Sequence, residues 1–253
     1  MEKIQICGIP ALRRVDGATL GTCAGCGHPL VGRIIYESIE ELGIKDRVIQ
    51  GVGVGCTGFV GFATNLDSAL CTHGTAPAML TGIKHALFDE PIVYAYQGDG
   101  DAAAIGAGAL INAAVRSEKM TIIMGNNFNY GTTGGQMGPT TLTGQVTTTT
   151  PGGRDPARHG WPVHVAEMLA TIKGVAYSAR GAVISPKYFQ QTKKYVKTAF
   201  QRQIDGVGFS FVEILVPCPT NWHMTPVEAL DWMEQNAIPE FPLGEFRNVN
   251  RLD

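Results

Sequence analysis

The chain has 253 residues, 44% of them hydrophobic, and a formal net charge of −2. That supplies a sizeable core for one large α/β domain or two small ones, and with no long basic or acidic run neither nucleic acid nor an anionic membrane surface is indicated as a partner. No stretch reaches the roughly 18 uncharged apolar residues of a membrane span, and the opening "MEKIQICGIP" lacks the apolar core of a secretion signal, so a cytoplasmic protein is expected.

In chain order, residues 29–43 place apolar side chains at helical spacing and stop at Gly43, which predicts a helix. The short strand "RVIQ" then runs into the glycine-rich "GVGVGCTG". A second helix is expected over 77–87, after "THGTAP". Residues 91–97, "PIVYAYQ", form a nearly continuous apolar run, the pattern of a parallel strand buried on both faces. A helix rich in small residues follows over 102–116, and "MTIIMGNN" (120–127) reads as another buried strand. Residues 131–160 are rich in Gly, Thr and Pro without periodicity, the mark of a long functional loop. A helix over 185–204, a last strand within 208–219 and a short helix over 226–236 complete the pattern. Strands alternating with helices predict an α/β fold, a parallel twisted sheet with helices on both faces. With no linker, residues 1–253 are expected to form a single domain.

Two strand ends carry the chemistry. Asp99 sits just past the first buried strand and Asn127 at the end of the second, where open α/β sheets bind ligands. The helix beginning near Asp101 turns its free N–H groups and positive dipole end into that crevice. Gly98 and Gly100 allow a tight turn and close backbone approach. Backbone donors, one carboxylate and amide oxygens together suit a diphosphate bridged to protein by Mg²⁺, an ion commonly held by few protein groups plus phosphates. The competing structural reading is a tight turn with Asp99 capping the helix. The Asn126-Asn127 pair favours the diphosphate.

Gly98-Asp99-Gly100 followed by Asn126-Asn127 resembles the thiamine diphosphate motif. Together, "YQGDGDAAAIG", "NNFNYGTTGGQMGPTT" and "CAGCGH" are similar to the β subunit of 2-oxoacid:ferredoxin oxidoreductases, over nearly the whole chain and in the same order. The resemblance implies that Asp99 and Asn127 give Mg²⁺ a side-chain oxygen each and Asn129 its carbonyl. It implies diphosphate contacts from Gly100, Asp101, Gly131 and Thr132, and a cofactor wall formed by Val54, Gly55, Cys56 and Thr57. His73 matches a His-Gly-Arg segment of the family, but the third residue here is Thr75, so a cation is missing.

Cys23-x-x-Cys26 presents two thiols from one turn, a pattern open to zinc, an iron–sulfur cluster or a redox pair. Two further ligands are needed. Cys56 and Cys218 follow strands whose ends converge, and the resemblance makes the same choice: Cys23, Cys26, Cys56 and Cys218 around one [4Fe–4S] cluster. Zinc is the alternative, but it has no redox chemistry to offer a neighbouring thiamine site. Cys7 and Cys71 are left as buried thiols.

Gly53-Val-Gly55-Cys-Thr-Gly58 also spells the dinucleotide fingerprint, yet the acidic residue expected about 20 positions on is absent. The resemblance implies instead a CoA-dependent oxidative decarboxylation of a 2-oxoacid to acyl-CoA, CO₂ and reduced ferredoxin. The alternative is a non-redox thiamine decarboxylase subunit with zinc. The glutamate that activates the cofactor comes from a second α/β domain in thiamine enzymes, which this chain has no room for. An α subunit is therefore expected to supply the pyrimidine side, with γ or δ subunits beside it, and the chain alone is expected to be inactive. Arg154, Arg158 and His159 in the loop offer cations for a distal carboxylate such as that of 2-oxoglutarate, beside the competing reading of a solvated loop or a subunit contact; a branched-chain 2-oxoacid and pyruvate are alternative substrates.

Overall fold

The computed structural model describes residues 9–13 and 21–252; Cys7 lies outside them. One seven-stranded sheet contains β1 (Val48–Val52), β2 (Asp67–Leu70), β3 (Ile92–Gly98), β4 (Thr121–Asn126), β7 (Val175–Ala182), β8 (Phe209–Leu215) and β9 (Gly244–Asn248), in the order β2-β1-β3-β4-β8-β7-β9. Six strands are parallel, and β9 closes one edge antiparallel to β7. The expected parallel sheet is present, with this antiparallel edge added. A separate hairpin pairs β5 (Asn129–Tyr130) with β6 (Gln136–Met137) inside the long Gly/Thr loop.

The continuous apolar runs are explained by two covered faces. Along β3, Tyr94 and Tyr96 enter the core shared with α1 (His28–Glu41) and α7 (Pro186–Ile204). Val93 and Ala95 enter the opposite core, with α3 (Ala76–Ala86), α4 (Ala107–Val115) and α6 (Val165–Ala170). A strand buried on both sides has no polar alternation to show. A third apolar cluster, around Phe128, Met233 and Phe241, supports the sheet end near the long loop.

Three strands escape the sequence patterns. In β7 every residue is buried, yet it contains Ser178 and Arg180. Arg180 is tolerated because Glu213 accepts from Nε at 2.9 Å and Glu167 pairs with the other end of the guanidinium. Edge strand β2 is largely exposed and short, and β9 is half-exposed. The helix expected over 102–116 is two pieces, a π-helical turn at Asp101–Ile105 and then α4, joined at Gly106. The glycine-rich segment after β1 passes into a short helix, α2 (Cys56–Gly61).

Candidate cofactor site

Four adjacent strands, β1, β3, β4 and β8, deliver the candidate residues from their carboxyl ends. Val54, Gly55, Cys56 and Thr57 follow β1; Gly98 ends β3 and precedes Asp99, Gly100 and Asp101; Asn127, Asn129, Gly131 and Thr132 follow β4. With His73, all of these line one cavity of about 140 Å³.

Asp99 does not cap the helix. Its Oδ2 accepts from the Thr140 hydroxyl at 2.6 Å, and Thr140 also reaches Asn126 Oδ1 at 2.8 Å. Burial pushes the Asp99 carboxyl up to about 7, against the opposing pull of the Thr140 hydroxyl and nearby backbone N–H groups. Below about pH 7 a cation binding there must displace that proton, so its affinity depends on pH. The amide end of Asn127 places one terminal atom 2.8 Å from the Asn129 carbonyl oxygen and 3.0 Å from Asp99 Oδ1. With nitrogen there, both contacts are hydrogen bonds. With the amide turned so that oxygen is there, three oxygens meet with no proton between them. Both separations are ordinary hydrogen-bond lengths, and they also match the edge of about 3 Å between ligands of an octahedral Mg²⁺, so turning the Asn127 amide would let the same groups face that ion. Thr57 Oγ1 and Asn129 Oδ1 are buried at this pocket without any partner in the protein, a hydroxyl and an acceptor that await a ligand.

The two asparagines do different work. Asn126 turns into the core, donating to Glu213 at 2.7 Å and accepting from the Phe128 backbone at 3.0 Å. Only Asn127 faces the cavity. Between them and the loop, Phe128 adopts a φ of 59°, a left-handed conformation that costs energy and is held by its buried packing.

Asp101 is placed in the cavity wall, but its carboxylate is engaged. Oδ1 accepts from the Gly74 N–H at 2.6 Å and contacts His73 Nδ1, while Oδ2 accepts from Gln97 at 3.0 Å. The side chain therefore fixes the 73–74 turn. The glycine fingerprint after β1 makes room for this: a Cβ on Gly53 would lie 2.5 Å from Asp101 Oδ2.

Cys23, Cys26, Cys56 and Cys218 line a second cavity, of about 220 Å³. It shares a wall with the first through His28, Cys56, Asn127, Gly131 and Thr132. Burial pushes the Cys26 thiol up to about 12, with repulsion from Cys218, Cys56 and Cys23 adding to it and the His28 backbone N–H opposing. Among the described residues no three His, Cys, Asp or Glu side chains converge as ligands of a single ion do. The thiols surround a space instead. Asn221, not foreseen, ties the two cavities by donating to the Gly131 carbonyl at 2.9 Å and to Cys218 Sγ at 3.5 Å. Cys71 is buried in the sheet core, as expected of a leftover thiol.

Residues 53–214 match the family described as thiamine pyrophosphate enzyme, C-terminal TPP binding domain. The chain is 35% identical to the 2-oxoglutarate synthase subunit KorB of Methanocaldococcus jannaschii, over 90% of this chain and 83% of that one. It belongs to the thiamine-binding β-subunit family of 2-oxoacid:ferredoxin oxidoreductases. The ketoisovalerate oxidoreductase subunit VorA of Methanothermobacter marburgensis is 44% identical over 89% of this chain, but this chain spans only 47% of that relative. In three dimensions a chain of the 2-oxoglutarate:ferredoxin oxidoreductase from Magnetococcus marinus shares the fold, with a TM-score of 0.76 at 24% identity, covering 98% of this chain and 87% of that one.

One expectation fails within this family member. Arg154 is not a free cation for a distal carboxylate. It is buried, and its guanidinium donates to the carbonyls of Gly160, Pro139, Thr141 and Trp161 at 2.6–3.1 Å. A side chain with those donors spent on backbone pins the loop. Arg158 is 81% exposed beside Asp155 at 3.8 Å, and neither it nor His159 lines the cavity. Thr140 and His28 lie within the quoted motif stretches but are not singled out by them, because their partners, like those of Asn221, are brought to them only across the fold; Tyr130 also lines the cavity.

Proposed function

We propose that this chain is the diphosphate-binding, electron-collecting part of an enzyme that oxidatively decarboxylates a 2-oxoacid to acyl-CoA, CO₂ and reduced ferredoxin. The observation that carries this reading is the meeting of the Asp99 carboxylate, the Asn127 side-chain amide and the Asn129 carbonyl in one cavity that shares a wall with four cysteines. Asp99, Asn127 and the Asn129 carbonyl would hold Mg²⁺; Gly100, Gly131, Thr132 and the backbone at Asp101 would meet the diphosphate. Cys23, Cys26, Cys56 and Cys218 would hold a [4Fe–4S] cluster. Bound thiamine diphosphate supplies the carbon nucleophile and electron sink that release of CO₂ from a 2-oxoacid requires.

The residues of this chain bind and orient. Thr140 holds the Asp99 carboxylate toward the cavity, and Asp101 holds His73 and Gly74 against it. Among the described residues no glutamate lines the cavity, which supports an activating group from a partner α subunit, with further subunits for coenzyme A and electron transfer. Among the described residues no Lys or Arg lines it either, and Arg154 is engaged. These two observations move the substrate expectation from 2-oxoglutarate to a branched-chain 2-oxoacid, the class named for the VorA relative.

The test is anaerobic purification with the native partner chains, then Mg²⁺-dependent thiamine diphosphate binding, iron and sulfide content, and a screen of 2-oxoacids with coenzyme A and a viologen dye. Branched-chain acids should give the highest kcat/KM. Zinc with no iron would support the non-redox decarboxylase reading. Absence of Mg²⁺-dependent cofactor binding would sink the proposal, and turnover by this chain alone would sink the need for a partner.

A further inference from the structure

Among the described residues at the shared wall, His28 is a side chain that the proposed chemistry leaves unused and whose ring keeps one nitrogen without a partner. It opens α1, is 2% exposed, and lines both cavities. Its Nδ1 lies 2.6 Å from the hydroxyl of Tyr96, a residue itself buried in the sheet. Its Nε2 has no partner in the protein. The pair fits only because β4 carries glycine at that point: a Cβ on Gly125 would stand 2.7 Å from Tyr96 Oη and 3.0 Å from His28 Cε1.

The hydrogen count fixes the tautomer. If Nδ1–H donated to the tyrosine oxygen, both the phenol proton and the Nε2 lone pair would be buried without partners. If the phenol donates to Nδ1, only Nε2–H remains. The second arrangement leaves one orphan group rather than two. A buried N–H of this kind calls for an acceptor from outside the chain.

We propose that Tyr96 holds His28 as an Nε2–H donor to an anionic sulfur in the four-cysteine cavity, and that this hydrogen bond sets the reduction potential of the group bound there. The His28 backbone N–H already points at Cys26 Sγ, and the Gly27 N–H bonds the Pro217 carbonyl at 3.2 Å, so the ring is anchored between Cys26 and Cys218. A hydrogen bond to sulfur favours the reduced state, which carries one more negative charge. Tyr96 is a positioning residue that acts through the imidazole. The inference rests on the cluster reading above.

The experiment uses the assembled complex, purified anaerobically, with His28→Phe and Tyr96→Phe beside the wild type. Iron and sulfide content, a dye-mediated redox titration followed by EPR, and the Mg²⁺·thiamine diphosphate Kd are measured on each. His28→Phe should retain the cluster, leave the Kd within about twofold, and shift the reduced-to-oxidised ratio about tenfold toward oxidised, which is about 59 mV to lower potential for one electron. Tyr96→Phe should shift it the same way by less. An unchanged potential in both variants overturns the inference. So does a weakened Kd with the potential unmoved, which would assign the donor to the thiamine cavity. If His28→Phe fails to assemble, Tyr96→Phe decides alone. A wild-type complex without iron and sulfide would show that the cluster reading has failed, and the inference with it.

Discussion

Replacing Thr140 by valine tests the metal cradle without touching a ligand. The change conserves volume and removes a hydroxyl that bridges Asp99 Oδ2 at 2.6 Å and Asn126 Oδ1 at 2.8 Å, all three residues being buried. Two acceptors lose a partner, one of them a carboxylate. The hydroxyl has one proton to share between them, so about one buried hydrogen bond is lost, and a loss of about 1–3 kcal/mol in the stability of the cofactor-free protein is expected. Asn126 keeps its Phe128 partner, which holds the figure near the lower end. Burial raises the Asp99 carboxyl and Thr140 opposes it, so the variant should raise it further above about 7. Mg²⁺·thiamine diphosphate should then bind roughly 10- to 100-fold more weakly at neutral pH, the usual effect of losing a residue that orients a ligand, and the deficit should shrink at higher pH. Calorimetric titration of the assembled complex with the cofactor from pH 6.5 to about 8.5, beside urea unfolding, measures both quantities. Wild-type affinity at every pH would refute the reasoning; a pH-independent loss would refute the part that runs through Asp99.

The raised Asp99 carboxyl has a stability consequence whose sign is fixed. Its contribution is fully present below the unfolded value near 3.8 and is lost as pH rises through about 7, so the cofactor-free wild type should lose on the order of 4 kcal/mol across that window relative to Asp99→Asn, by denaturant titration at each pH. Arg180→Met strands the buried Glu213 carboxylate in the core, while Glu167 keeps access to solvent and His164, and should cost about 3–5 kcal/mol in thermal unfolding. Arg154→Ala should lower kcat/KM for apolar and dicarboxylic 2-oxoacids alike, by loosening the loop, while Arg158→Ala leaves both unchanged; selective loss of the dicarboxylic substrate would restore Arg154 to substrate binding. Gly53→Ala should displace the Asp101 carboxylate from Gly74 and abolish cofactor binding, seen as loss of thiamine diphosphate in the purified complex.

Much of the site was legible because motif residues sit directly after strands. Asp99 and Asn127 each follow a buried apolar run, and parallel strands bring such ends side by side. The division of labour within that motif was not legible. Asn126 and Asn127 are chemically identical, and the pleat sends one inward and the other to the cavity. Asp101 looked like a cofactor contact, yet its carboxylate is bound by Gly74, His73 and Gln97 from two other segments. Arg154 looked like a free cation because local sequence does not reveal that the carbonyls of 138–141 and 160–161 fold around it.

Sequence by itself determined the fold class, the thiamine class of cofactor and the strand ends that carry the candidate residues, since apolar periodicity and strand-end motifs are local properties of the chain. Tertiary structure alone decided that Ser178 and Arg180 belong to a central strand, that Thr140 supports Asp99, and that His28 stands between two cavities. Those facts depend on contacts between residues 33 to 68 positions apart, and a polar group is placed by the partner that offsets its burial, which only the folded chain supplies.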